Sequence, residues 1–188
     1  MKDKINKILQ LSPDLFNSFW NRLEPESIPK GKYYIKEGQY SKKLALITKG
    51  AVYSFYSKEG EEIIEGFCFE GCFFTDYPSF INGIPSKKNF KAIEDTELLV
   101  ISKEKLDGLY QANPSYERAG RLMAEYLFTS WEMKLRDSIF SSPTERYLQL
   151  AANRKDITQR IPQYLIASYL NITPQYLSQI RKKLAENE

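Results

Sequence analysis

The chain has 188 residues, 42% hydrophobic and 27% charged, with a formal net charge of +3. This is ordinary globular composition, and no apolar run approaches the ~20 residues of a membrane span, so no membrane partner is expected. With no histidine and two cysteines, the sequence excludes Cys/His zinc sites, Ser-His-Asp triads, His-ligated haem and four-Cys iron–sulfur clusters.

The opening MKDKINKILQLSPDLF is amphipathic, of mixed charge, and lacks the apolar core of a signal peptide, so a cytoplasmic protein is expected. Residues 4–23 read as helix. Ile5, Ile8, Leu9, Leu15, Phe16, Phe19, Trp20 and Leu23 share the apolar face, and Ser12-Pro13 marks a fresh start. From Glu26 to about Ile101 the apolar period shortens to two. KYYIKEG, KLALITKG, AVYSFYS, EEIIEGFCF and KNFKAIEDTELLVI are the strand candidates, with glycines such as Gly31, Gly50 and Gly71 and the Asn82-Gly83 pair between them. Short strands at close intervals predict an antiparallel barrel or jelly roll. Cys68 and Cys72 lie in an aromatic-rich strand-like run and read as buried structural thiols. Asp76 and Glu94 are isolated acids, read as surface or turn residues and not as an acid/base pair. No catalytic residue or metal site is predicted, and an enzyme is not expected.

Helical periodicity returns after Ser102. Residues 103–111 form a short helix, and Asn113-Pro114-Ser115 opens a long one from about Tyr116 to Ile139. Its stripe of Ala119, Leu122, Met123, Tyr126, Leu127, Ser130, Trp131 and Met133 is wider than one barrel needs. Leu122, Met123, Tyr126, Leu127, Ser130 and Met133 are therefore expected to pair two copies in a homodimer. Ser141-Ser142-Pro143 interrupts the pattern, and Thr144 is expected to cap a helix from Glu145 to about Ala152. The expected domains are 1–113, 114–140 and 141–188.

Residues 161–184, IPQYLIASYLNITPQYLSQIRKKL, hold two short amphipathic runs. Leu165, Ile166, Tyr169 and Leu170 recur at helical spacing in the first, and Tyr176, Leu177, Ile180 and Leu184 in the second. Between them Asn171 suits a left-handed residue after a helix, Thr173 suits an N-cap, and Pro174 suits the first helical position. Small Ala167 sits where the helices must cross, with Ile166, Leu170, Ile172, Leu177 and Ile180 as the wedge. This is the spacing of a DNA-binding helix-turn-helix. Gln175, Ser178, Gln179 and Lys182 then share the outer face of the second helix, flanked by Arg181 and Lys183. Gln pairs with adenine in two places, and Lys and Arg suit phosphate or guanine. From Ser142 onward there are seven basic residues (Arg146, Arg154, Lys155, Arg160, Arg181, Lys182, Lys183) against four acidic ones (Glu145, Asp156, Glu186, Glu188). That excess of three accounts for the whole net charge.

A small β-barrel, a long helix and a helix-turn-helix in this order resemble the Crp/Fnr family, that of the cyclic-AMP receptor protein and the fumarate–nitrate-reductase regulator. The segments carrying the resemblance include LALITKGAVYSFY, AIEDTELLVISKEKLDGLYQANP, SSPTERYLQLAA and IPQYLIASYLNITPQYLSQIRKKL. The resemblance implies an α+β protein: a cyclic-nucleotide-binding-like β-roll (a double-stranded β-helix or jelly roll), a dimerisation helix and a helix-turn-helix. The β-hairpin wing usual after the recognition helix would be missing, because the chain given stops soon after Leu184.

The resemblance also implies an effector pocket around Gly71, Cys72, Phe73, Phe74, Ser86, Lys87 and Lys88. In nucleotide-binding relatives a Glu follows the cassette glycine and an Arg-Ser or Arg-Thr pair comes later. Here Cys72 follows Gly71, and Ser86-Lys87 stands at the Arg-Ser position. The lysines lack the guanidinium fork, and Phe73 and Phe74 are positioned to fill the cavity. No cofactor is expected: cyclic AMP is not expected to bind, and another small-molecule effector stays open. The implied function is a dimeric transcription regulator that binds a palindromic operator in double-stranded DNA, Thr173, Pro174 and Tyr176 joining the face named above, with RNA polymerase as a further partner. The alternative is a ligand- or nucleotide-sensing module whose helical C-terminal unit binds a protein.

Overall fold

The computed structural model describes residues 1–154 and 156–185; Lys155, Glu186 and Glu188, counted in the charge argument, lie outside the described residues. Helices α1 (Lys2–Leu9) and α2 (Pro13–Trp20) open the fold. The continuous run expected over 4–23 is split because Gln10 turns left-handed, at φ 52°. Asn6 pins that break, donating to Leu11 O at 3.0 Å and accepting from Leu11 N at 3.1 Å. Ser12 caps α2 ahead of Pro13, accepting from Leu15 N at 3.4 Å.

Strands β1 (Glu24–Ile28), β2 (Tyr33–Ile35), β3 (Lys43–Lys49), β4 (Val52–Lys58), β5 (Glu61–Cys68), β6 (Phe73–Phe74), β7 (Asn89–Ala92) and β8 (Thr96–Ser102) form two antiparallel sheets. Their orders are β1-β8-β3-β6 and β2-β7-β4-β5, with α3 (Tyr77–Asn82) between β6 and β7. The expected KNFKAIEDTELLVI strand is two, broken around Glu94-Asp95. Polar β1 escaped the pattern: it is an edge strand carrying Pro25, tolerated where no neighbour needs its N–H. Gly50, at φ +99°, turns β3 into β4. A side chain there would also meet the Thr96 backbone at 2.8 Å.

β3 shows how the layers form. Ala45 and Ile47 point between the sheets with Val52, Phe74, Phe90 and Leu98. Leu46 points the other way, onto Ile5, Phe19, Ile101 and Leu106 of a helical layer. That layer contains α4 (Lys103–Ala112) and the start of α5 (Pro114–Phe140), where Tyr116 and Ala119 are buried and Tyr116 donates to Leu15 O at 3.1 Å. Asn113 caps α5, accepting from Ser115 N at 2.8 Å. The stripe expected along α5 divides. Its N-terminal end packs on this layer, whereas Tyr126, Phe128, Trp131, Met133, Ile139 and Phe140 are each more than half exposed.

α6 (Pro143–Asn153), α7 (Ile157–Arg160), α8 (Gln163–Tyr169) and α9 (Pro174–Ala185) complete the described chain. Ser142, not Thr144, caps α6: a capping box with Glu145 uses the residue before Pro143 as N-cap. These helices cover the outer face of β4 and β5. One core joins Ala51, Tyr53, Phe55 and Ile64 to Tyr147, Ile157, Leu165, Ile166 and Leu177. One smaller expectation is corrected: Asp76 is buried at the start of α3. Glu94 sits in the bend between β7 and β8, half-buried and bonded to Arg160. No described helix is long and apolar enough to cross a membrane.

Candidate nucleic-acid interface and effector pocket

The turn between α8 and α9 is built from the residues that predicted it. Asn171 is left-handed at φ 55°, and Ile172 N reaches back to Ala167 O at 3.0 Å. Thr173 Oγ1 accepts from Tyr176 N at 3.2 Å, and Leu177 N bonds Thr173 O. Ile166, Ala167, Leu170, Leu177 and Ile180 are buried between the helices, and Ile172 is half-buried against them. Arg146 of α6 donates to Leu170 O at 2.8 Å and fixes the end of α8. With the apolar side of α9 used inward, Thr173, Pro174, Gln175, Tyr176, Ser178, Gln179, Lys182 and Lys183 are exposed, and Arg181 is half-buried.

The basic excess of this region is less available than its count suggests. Arg154 and Arg160 are engaged with acids: Arg154 Nη2 lies 2.6 Å from Glu70 Oε2, and Arg160 Nη2 lies 2.7 Å from Glu70 Oε1. Arg160 also binds Glu94 and Asp156, and both guanidinium groups cover the Phe69 ring. These contacts, with Ser168 Oγ donating to Glu62 O at 2.9 Å and Tyr169 against Phe67, dock the C-terminal helices on the β-roll.

Glu70 is the hub of this latch. Burial opposes its charge, but hydrogen bonds from Arg160, its own backbone, Arg154 and Gly50 N outweigh that cost and hold its carboxyl down at about 2. A depressed carboxyl stabilises the docked state fully above its ordinary value of 4.5 and loses that contribution as pH falls toward 2. The side chain is 32% exposed. After allowance for solvent screening, Glu70→Gln is expected to weaken docking by about 1–2 kcal/mol at neutral pH and little below pH ~2. Hydrogen exchange at Ile64 N–H, which faces Ser168 Oγ, reports the change. No sequence pattern pointed to this latch, because its partners are up to 90 positions apart.

A cavity of about 850 Å³ opens between the β-roll and α5. Of the expected effector residues, Cys72, Phe73, Phe74 and Lys88 line it. Gly71, Ser86 and Lys87 are not among its lining residues. Ser86 is buried and turned to its own loop, its Oγ donating to Lys88 O at 2.8 Å, and Lys87 is exposed. Ser54, Glu65 and Lys134 are among the lining residues that the sequence reading missed. Lys88 Nζ lies 2.7 Å from Glu65 Oε1, and Ser54 Oγ donates to Glu65 Oε2 at 2.9 Å. Burial opposes the Lys88 charge, and the Glu65 carboxylate overcomes it, so the ammonium group titrates above its ordinary value. Lys88 is thus already neutralised from within the pocket.

Residues 25–113 match the family model of the cyclic nucleotide-binding domain. The whole fold is similar to solved structures of transcription regulators. The catabolite activator protein of Thermus thermophilus is 21% identical with a TM-score of 0.60, covering 96% of this chain and 87% of that one. CLP of Xanthomonas campestris, a c-di-GMP-responsive global regulator, is 17% identical with a TM-score of 0.66, covering 94% and 93%. A putative cAMP-binding regulatory protein of Silicibacter pomeroyi is 17% identical with a TM-score of 0.73, covering 98% and 87%. Curated protein sequences give no match. The match to the cyclic nucleotide-binding domain thus covers residues 25–113, and the fold as a whole is shared with solved regulators, one of them a putative transcriptional regulator of the Crp/Fnr family from Eubacterium rectale.

Proposed function

We propose that this protein is a homodimeric, sequence-specific DNA-binding transcription regulator, organised as a β-roll over residues 1–113, a dimerisation helix over 114–140 and a DNA-binding unit over 141–188. The observation that carries the reading is the α8–turn–α9 unit, which buries Ile166, Leu170, Leu177 and Ile180 of the apolar wedge and leaves Gln175, Ser178 and Gln179 exposed on the first two turns of α9. Those turns are the part of a recognition helix that reaches base edges. Twofold pairing along α5 implies half-sites about one helical turn, ~34 Å, apart. Titration of the chain with duplex DNA across a salt series tests the reading. Affinity that falls steeply with salt supports it, and a chain that retains no duplex at low salt favours a protein partner for these helices instead.

The β-roll serves as a sensor or scaffold that does not take cyclic AMP. A cyclic nucleotide would need a ribose acceptor where Cys72 stands and a phosphate fork where Ser86 is turned away. Its phosphate would also have to compete with Glu65 for Lys88. Calorimetry at millimolar cyclic AMP is expected to show no saturable heat; tight binding would overturn this assignment.

A further inference from the structure

Cys68 ends β5 and Cys72 precedes β6, and the turn between them, closed by Cys72 N donating to Phe69 O at 3.0 Å, sets the two cysteines at either end of Phe69-Glu70-Gly71. Both are half-buried and line the cavity beside α5, so small oxidants reach them. Cationic Lys134 of α5 enters the same corner. Gly66 leaves room for it, since a side chain there would meet Lys134 Nζ at 3.1 Å. The neighbouring Cys72 and burial raise the Cys68 thiol, so it keeps its proton. The neighbouring Cys68, a backbone contact at Phe69 and the charges of Lys134 and Arg154 lower the Cys72 thiol against the cost of burial. The segment between the two thiols is the docking latch itself: Glu70 and Phe69 hold Arg154 and Arg160.

We propose that Cys68 and Cys72 form a hydroperoxide-reactive dithiol whose oxidation to a disulfide loosens the grip of the Phe69-Glu70 turn on the C-terminal helices. In the first step the Cys72 thiolate attacks the peroxide, the O–O bond breaks, and the released hydroxide takes a proton to leave as water. In the second, Cys68 sulfur attacks the Cys72 sulfenic acid. The S–S bond forms, and the hydroxyl departs as a second water with the Cys68 proton. The two sulfurs together lose two electrons and the peroxide gains them. A covalent S–S bond of about 2.05 Å draws the sulfurs closer than any hydrogen bond does. Both ends of the turn then move, while Glu70 must still meet two guanidinium groups and Gly50 N at once. Neither the reaction nor the latch depends on whether the chain binds DNA.

The test uses the full reduced chain with a slight excess of hydrogen peroxide, read by intact mass, disulfide mapping and amide exchange. Oxidised chain is expected to lose about 2 Da, to yield a Cys68–Cys72 cross-link and to recover on dithiothreitol. Cys68→Ser is expected to stop at a Cys72 sulfenic acid that dimedone traps, and Cys72→Ser to leave Cys68 reduced. Exchange at Ile64 N–H is expected to rise about tenfold in the oxidised chain. Two free thiols persisting after peroxide has consumed a free-cysteine control would overturn the proposal. A cross-linked chain with unchanged exchange at Ile64 would overturn its second half.

Discussion

Truncating Leu177 to alanine is expected to cost about 2–5 kcal/mol of stability and to abolish any function that needs α9 in place. Leu177 is fully buried where α9 crosses α8, in a core shared with Ile166, Leu170 and Ile180. Ala167, in the same core, is too small to fill the hole left behind. The same core includes Tyr53, Phe55 and Ile64 of the β-roll, so the two parts should unfold together. Denaturant unfolding checks both points. The wild type should show one transition, and the variant a lower midpoint with unchanged slope if cooperativity survives. A loss below about 0.5 kcal/mol would mean that α9 is not packed as described.

The second large effect is expected at Met133. It lies on the exposed half of the α5 stripe, at coiled-coil spacing from Met123, Tyr126 and Ser130. In a twofold pair each Met133 is buried against the partner helix, and full burial of such a side chain is worth about 2 kcal/mol per copy. Met133→Glu removes both copies and places two like charges at the seam. The dimer dissociation constant should therefore rise on the order of a thousandfold. The fold of each chain should be unaffected, because Met133 is 53% exposed within it. Sedimentation over a dilution series distinguishes the cases. A variant as dimeric as wild type at micromolar concentration would place the pairing surface elsewhere, with Phe128, Ile139 and Phe140 as the next apolar candidates.

Legibility in the sequence followed the range of the interactions. The turn at Asn171, Thr173 and Pro174 depends on bonds three to five residues apart, so its chemistry is written locally and the structure repeats it. β4 was readable from AVYSFYS although Tyr53 and Phe55 point at the C-terminal helices and Val52 between the sheets. β1 was not readable, since a polar edge strand with Pro25 has no periodic signature. The Glu70 latch and the Glu65–Lys88 pair join residues that only the folded chain brings together. Charge counting misled in part for the same reason: Arg154 and Arg160 contribute to a basic C-terminal unit on paper and are spent on Glu70, Glu94 and Asp156 in the fold.

The central claim is base readout by α9, and selection from a random duplex pool tests it most directly, run with wild type, Gln179→Ala and Lys183→Ala. Gln175 and Gln179 stand one turn apart on the exposed face. Wild type is expected to enrich a palindromic site. Gln179→Ala should lose about 1–3 kcal/mol on that site and flatten preference at one position in each half. Lys183→Ala should weaken all sequences alike and lower the salt slope by about one. A wild-type pool no different from the input, or the same base preferences from wild type and Gln179→Ala, would contradict the account.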